Sequence, residues 1–171
     1  MIELIALLVL SVIYIVYFYY WIKAFRISAP YFPTSKKTIK TAIKELKNHK
    51  VKHIAELGAG DGRVAFALAR EGYEVSAIEF NPILVLIMKF RKLIGNYKKV
   101  HIIREDFLKL NYEKYDAAFI YLYPKVMDKL AKKLTQEMPK NAVFISNTFM
   151  FHDKKPVSTS ENKIYVYINE K

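Results

Sequence analysis

The sequence contains no cysteine. That excludes disulfides, thiolate metal sites, iron–sulfur clusters and cysteine nucleophiles in one step, and it fits a reducing compartment. Histidine is scarce. The four residues, His49, His53, His101 and His152, do not fall into a ligand spacing such as H-x-x-x-H, so no metal site is expected. There are no internal repeats and no low-complexity linkers. Acidic residues number 16 against 28 basic ones, a formal net charge of +12. Hydrophobic residues reach 53% of the 171 positions, which excludes disorder as the main state and sets the length of one domain with a small appendage.

The apolar residues are concentrated at the start. Leu4 to Ile22 is a run of 19 residues without a charge. As a helix it is roughly 28 Å long, close to the ~30 Å of a bilayer core. It is apolar on every face, so it has no stripe with which to dock on a soluble core. Tyr17, Phe18, Tyr19, Tyr20 and Trp21 close it, followed by Lys23 and Arg26. Aromatics and then cations mark a membrane–water interface. A cleaved signal peptide would start with cations and end in small residues; this segment starts with Glu3 and ends in rings. The alternatives are such a leader or a buried core helix; the expectation is a retained single-pass anchor over residues 1–23. Cations crowd only the C-terminal flank, which places the body on the cytoplasmic side. Residues 1–26 carry a net +1, leaving +11 on the body, suited to an anionic leaflet. The lysines are scattered rather than interleaved with aromatics, so no nucleic-acid partner is expected.

Residues 24–50 read as a connector with Pro30 and Pro33, then a helix from about Lys36 to His49 capped by Thr34 or Ser35. From 51 to 171 strands and helices alternate. The expected strands are 51–57, 74–80, 100–104, 115–123 and 142–149, with a tail strand over 163–169. The expected helices are 63–71, 82–94 and 124–137. That order predicts an α/β fold with a parallel, Rossmann-like sheet.

The most informative stretch is Glu56-Leu57-Gly58-Ala59-Gly60-Asp61-Gly62, which follows a strand and opens a helix. Turn amides backed by a helix dipole favour a polar or anionic ligand group. The dinucleotide fingerprint would need glycine at 63, where this chain has Arg63. Glu79, at the end of the second strand, is placed to meet ribose hydroxyls, and Asp106-Phe107 follow the third strand; all lie at the carboxyl edge, where open α/β sheets bind ligands.

Glu56-x-Gly58-x-Gly60-x-Gly62 resembles motif I of class I methyltransferases, which use S-adenosyl-L-methionine. The resemblance implies that Glu56 meets the amino acid end of that cofactor, and that Asp106 meets the adenine amino group with Phe107 against the ring. Pro30-Tyr31-Phe32-Pro33-Thr34 is similar to an element found before the first helix in one group of these enzymes. The group holds archaeal broad-specificity protein lysine methyltransferases and the membrane-anchored lysine methyltransferases of ATP synthase c-subunit and adenine nucleotide translocase. Tyr121-Leu122-Tyr123-Pro124, Leu130-x-x-x-Leu134, Phe149 and Tyr165-Val166-Tyr167 look similar too. Ser35 departs from the second proline common in the group, and the end after Phe151 is short.

The resemblance implies Pro33 and Thr34 over the methionine end of the cofactor and Tyr121 as the catalytic, acceptor-side residue. Tyr31, Phe32 and Tyr123 are further candidates for an acceptor channel, with core packing the preferred reading of Tyr123. The implied function is a membrane-anchored methyltransferase acting on the lysine of a protein, itself a candidate membrane protein. Two alternatives stand beside it, a methyltransferase for a small lipophilic acceptor and a non-catalytic cofactor-binding module. The intact set of Glu56, the three glycines, Glu79 and Asp106 argues against the last.

Overall fold

The computed structural model describes residues 2–27 and 32–171. Pro30 and Tyr31 of the proline-bracketed element lie outside them. The chain opens with helix α1 (Ile2–Ile27), whose first four turns are exposed: Leu4, Leu7 and Ile15 are each well over half accessible. Among the described residues it is the one helix long and apolar enough to cross a membrane.

The body is a seven-stranded sheet covered on both faces. β1 (His53–Leu57), β2 (Glu74–Ile78), β3 (Val100–Ile103), β4 (Ala117–Ile120) and β5 (Val143–Asn147) pair in parallel; β7 (Ile164–Ile168) is antiparallel to β5 and to the two-residue β6 (Ser158–Thr159). The order is β3-β2-β1-β4-β5-β7-β6. Helices α2 (Lys36–Lys47), α3 (Arg63–Arg70) and α4 (Pro82–Gly95) share one core with one face of the sheet, and α5 (Pro124–Glu137) packs the other. α2 is therefore part of the core through Ile39, Ala42 and Leu46 rather than a linker feature. Ser35 caps it by accepting from the Thr38 N–H at 3.1 Å, and Asn81 caps α4 in the same way through Ile83.

The strands are shorter than the apolar runs predict, for local reasons. β1 starts at His53 because the Lys52 and His53 amides donate to the Asp116 carboxylate at 3.0 and 2.9 Å. β4 stops at Ile120 because its partner Leu57 ends β1; Tyr121 to Tyr123 leave the ladder and lead into α5. The register aligns the strand ends: Leu57 pairs with both Ile78 and Ile120, and Ile78 with Ile103. Gly58, Glu79, Arg104 and Tyr121 thus stand side by side, one residue beyond the carboxyl edge. The chain reverses direction across the sheet between β1 and β4, and such a switch point opens a crevice.

Candidate active site

A cavity of about 990 Å³, counted with its open mouth, fills that crevice. Every described residue singled out for ligand binding from the sequence lines it: Pro33, Thr34, Glu56, Gly58, Gly60, Glu79, Asp106, Phe107 and Tyr121, with the exception of Gly62. Phe32 lines it as well. Tyr123 does not: it is 51% exposed and lies 6.3 Å from the Phe149 ring, so it neither packs in the core nor faces the cavity. It stands at the N-terminus of α5, where the chain has already left the sheet.

The glycine loop departs from the expected anion cradle. Its amides are spent within the protein. Gly58 and Ala59 both donate to Ile78 O at 2.9 Å, Gly62 donates to Ala59 O, and Gly60 donates to Glu79 Oε2 at 2.8 Å. Gly62 sits at φ 79°, and a Cβ there would lie 2.7 Å from Phe66 and 2.8 Å from Met88, so it supports the site by letting α3 and α4 close on the loop. Gly58, at φ 72°, would bring a Cβ to 2.9 Å from Leu122.

Four carboxylates face this space, each held differently. Asp61 is buried and engaged by two cations: Arg63 at 3.0 Å and Arg91 at 2.7 Å, Arg91 also donating to the Asp61 carbonyl at 2.9 Å. Burial works to raise its pKa, but the Arg63 hydrogen bonds and both guanidinium charges outweigh it and hold the carboxyl below the usual range. Glu79 accepts from Gly60 and, through Oε1, from Asn81 at 2.8 Å, clamping the loop to the start of α4. Burial still lifts its pKa above the ordinary value. Asp106 is half-buried and accepts from Leu108 at 2.9 Å, which leaves acceptor capacity toward the cavity.

Glu56 is the exception. It is 3% exposed, and its Oε2 is a buried side-chain atom without a hydrogen-bond partner among the described residues. Burial pushes its pKa well up, the Ala65 amide at the start of α3 pulls it down, and the neighbouring Asp61 and Glu79 raise it further. An orphaned, desolvated acceptor of this kind is costly. Its natural complement is a cationic or hydrogen-bond-donating ligand group. A pyrophosphate would meet acids and no free loop amides, so the arrangement favours a cation over a phosphate.

Sequence reasoning missed several walls. The Arg91–Asp61 pair spans 30 residues and has no local signature. Tyr17 and Trp21, from the last turns of α1, line the cavity opposite the sheet. The Tyr20 ring lies 6.3 Å from Phe80, and its hydroxyl accepts from Arg104 at 3.5 Å. The aromatic end of the apolar helix is therefore built into the pocket. Among the described residues no His, Asp and Glu cluster is arranged to hold a metal ion.

Known proteins resemble this chain in sequence and in fold. The family model described as ANTKMT methyltransferase domain matches residues 56–158. The ATP synthase c-subunit lysine N-methyltransferase of Xenopus laevis is 30% identical over 132 residues, 77% of this chain and 58% of that protein. Adenine nucleotide translocase lysine N-methyltransferase of Mus musculus is 27% identical over 135 residues, 78% of this chain and 58% of that protein. The chain thus spans less than two thirds of the length of these relatives. Among solved structures, an RNA methyltransferase from Salinibacter ruber in complex with S-adenosyl-L-homocysteine superposes with a TM-score of 0.76 at 23% identity, covering 82% of this chain and 95% of that one. That match shows a shared fold.

Proposed function

Because the chain belongs to the ANTKMT methyltransferase domain family, we propose that it is a membrane-anchored, S-adenosylmethionine-dependent methyltransferase acting on a lysine amine of a protein. The observation that carries the reading is the unpaired Glu56 Oε2 in an acid-lined cavity. The cofactor, when bound, supplies an electrophilic methyl group on a sulfonium and brings an ammonium that fits this orphaned acceptor. Glu56 takes the ammonium. Glu79 keeps one lone pair per oxygen after clamping the loop and accepts from ribose hydroxyls. Asp106 accepts from the adenine amino group, with Phe107 against the ring. Pro33 and Thr34 cover the methionine end.

The acceptor amine must be neutral to attack, against a reference pKa near 10.4. The apolar wall of Phe32, Tyr121 and Leu122 lowers that value by desolvation. Tyr121, flush with the edge of the sheet, orients the amine for in-line approach. The proton lost from the amine leaves to water. Relatives named for their action on two membrane-embedded proteins support a membrane protein as the acceptor. α1 supports anchoring: we propose a single span with residues 24–171 on the cytoplasmic side.

The test uses the full chain in membranes. Supplied with methyl-labelled S-adenosylmethionine, it is expected to put label into protein and, after hydrolysis, into methyl-lysine. Label confined to the lipid extract would establish the lipophilic-acceptor reading instead, and label in RNA would overturn both.

A further inference from the structure

The outer side of α4 is apolar. Leu84, Val85 and Met88 face the core, while Leu86, Ile87, Phe90, Leu93 and Ile94 point the opposite way, with exposures of 66, 39, 64, 80 and 70%. A surface helix in a solvated α/β domain is expected to be polar there. Five large side chains on one convex helix form the kind of exposed patch that marks an interaction surface. The helix also carries Lys89, Arg91 and Lys92 and no acidic residue. On α2, beside it across the same face of the sheet, five lysines stand against one glutamate.

We infer that this face docks on the surface of an anionic lipid leaflet, with the α4 stripe sunk to the level of the acyl-chain boundary and the lysines among the headgroups. Two features favour lipid over a protein partner. The patch is a convex ridge rather than a cleft, which suits a planar medium. Its cations flank the apolar side chains as they do in helices that lie in a membrane interface. Docking deepens the membrane reading above and does not need the span, since the charge and the stripe belong to the body. Bound this way, the body is held in a fixed attitude to the membrane rather than swinging on its connector.

The absence of cysteine makes the test direct, because an introduced thiol is the only one in the chain. Nitroxide labels are attached at Leu93→Cys, at Val12→Cys in α1 and at Lys132→Cys on the exposed side of α5, each in the full chain placed with lipid nanodiscs. Collisions with dissolved oxygen and with a water-soluble nickel chelate are compared in phosphatidylcholine discs and in discs with phosphatidylserine. The expected result is a loss of nickel collisions at 93 in anionic discs only, regained in high salt and in a Lys89→Glu, Lys92→Glu variant, while 132 stays aqueous throughout. A label at 93 that is aqueous in both lipids overturns the inference. So does one shielded in proportion to the number of chains per disc, which would put a second copy on the stripe. The label at 12 reports the span separately: shielding at 93 with an aqueous 12 refutes the anchor and keeps the docking face.

Discussion

Replacing Glu56 by Gln is expected to weaken cofactor binding and to stabilise the empty protein at the same time. The substitution keeps the shape and removes the charge. A hydrogen bond to a charged partner contributes about 1.5–3 kcal/mol, so losing the pairing of Glu56 with a ligand ammonium should raise the Kd for S-adenosylmethionine roughly 10- to 150-fold. In the empty protein the same carboxylate is buried with an unpaired oxygen, and such a group costs about 1–3 kcal/mol. At this chain length each kcal/mol corresponds to about 2–4 °C in Tm, so the ligand-free variant should melt a few degrees higher at pH 8.

The direction of the pH dependence follows from burial. Glu56 has a folded-state pKa raised by burial, so the folded protein holds that proton more tightly than the unfolded chain does. Its contribution to stability is fully present below the ordinary glutamate range and is lost as pH rises through the raised value. Ligand-free wild type should therefore lose Tm between pH 5 and pH 8 more steeply than the variant. Calorimetric titration and thermal unfolding of the full chain, each at several pH values, provide both readouts. Equal affinity for the ligand, together with parallel Tm–pH curves, would refute the assignment of Glu56 as the orphaned acceptor.

Two further outcomes follow from the packing around the loop. Gly62→Ala places a Cβ into Phe66 and Met88 at a left-handed backbone position, which should destabilise the protein by about 2–4 kcal/mol; an unchanged Tm would mean that α3 and α4 do not close on the loop. Trp21 is the sole tryptophan and lines the cavity, so its emission should shift when S-adenosylhomocysteine binds; saturating calorimetric binding with no change in emission would place the end of α1 away from the ligand.

Much of this architecture is legible in the chain. Apolar strands between Gly- or Pro-punctuated helices give the sheet, and Pro124–Glu137 is helical over the expected range because Pro at the first position and an alternating apolar face act together. The glycine loop and the acids at three strand ends are readable because register, not side-chain detail, brings them to one edge. What is not legible depends on distance in sequence. Nothing near Asp61 announces Arg91, and nothing in the aromatic run of α1 says that Tyr17 and Trp21 turn toward the pocket. The loop amides read as free because their acceptor, Ile78 O, belongs to another strand. The residues of the α4 stripe are visible in the sequence, yet only the fold tells which side of that helix the core takes. β6, two residues long, has no periodicity to read.

The acid lining has a consequence for turnover. In the proposed reaction the positive charge leaves sulfur and ends on the acceptor nitrogen. The thioether that stays in the cavity then faces Glu56, Glu79 and Asp106 with one charge fewer than the sulfonium that entered. Product is held less firmly than substrate by the same wall. A pocket lined this way resists product inhibition by its electrostatics alone, and exchange of spent cofactor for fresh runs downhill without any part of the glycine loop having to open.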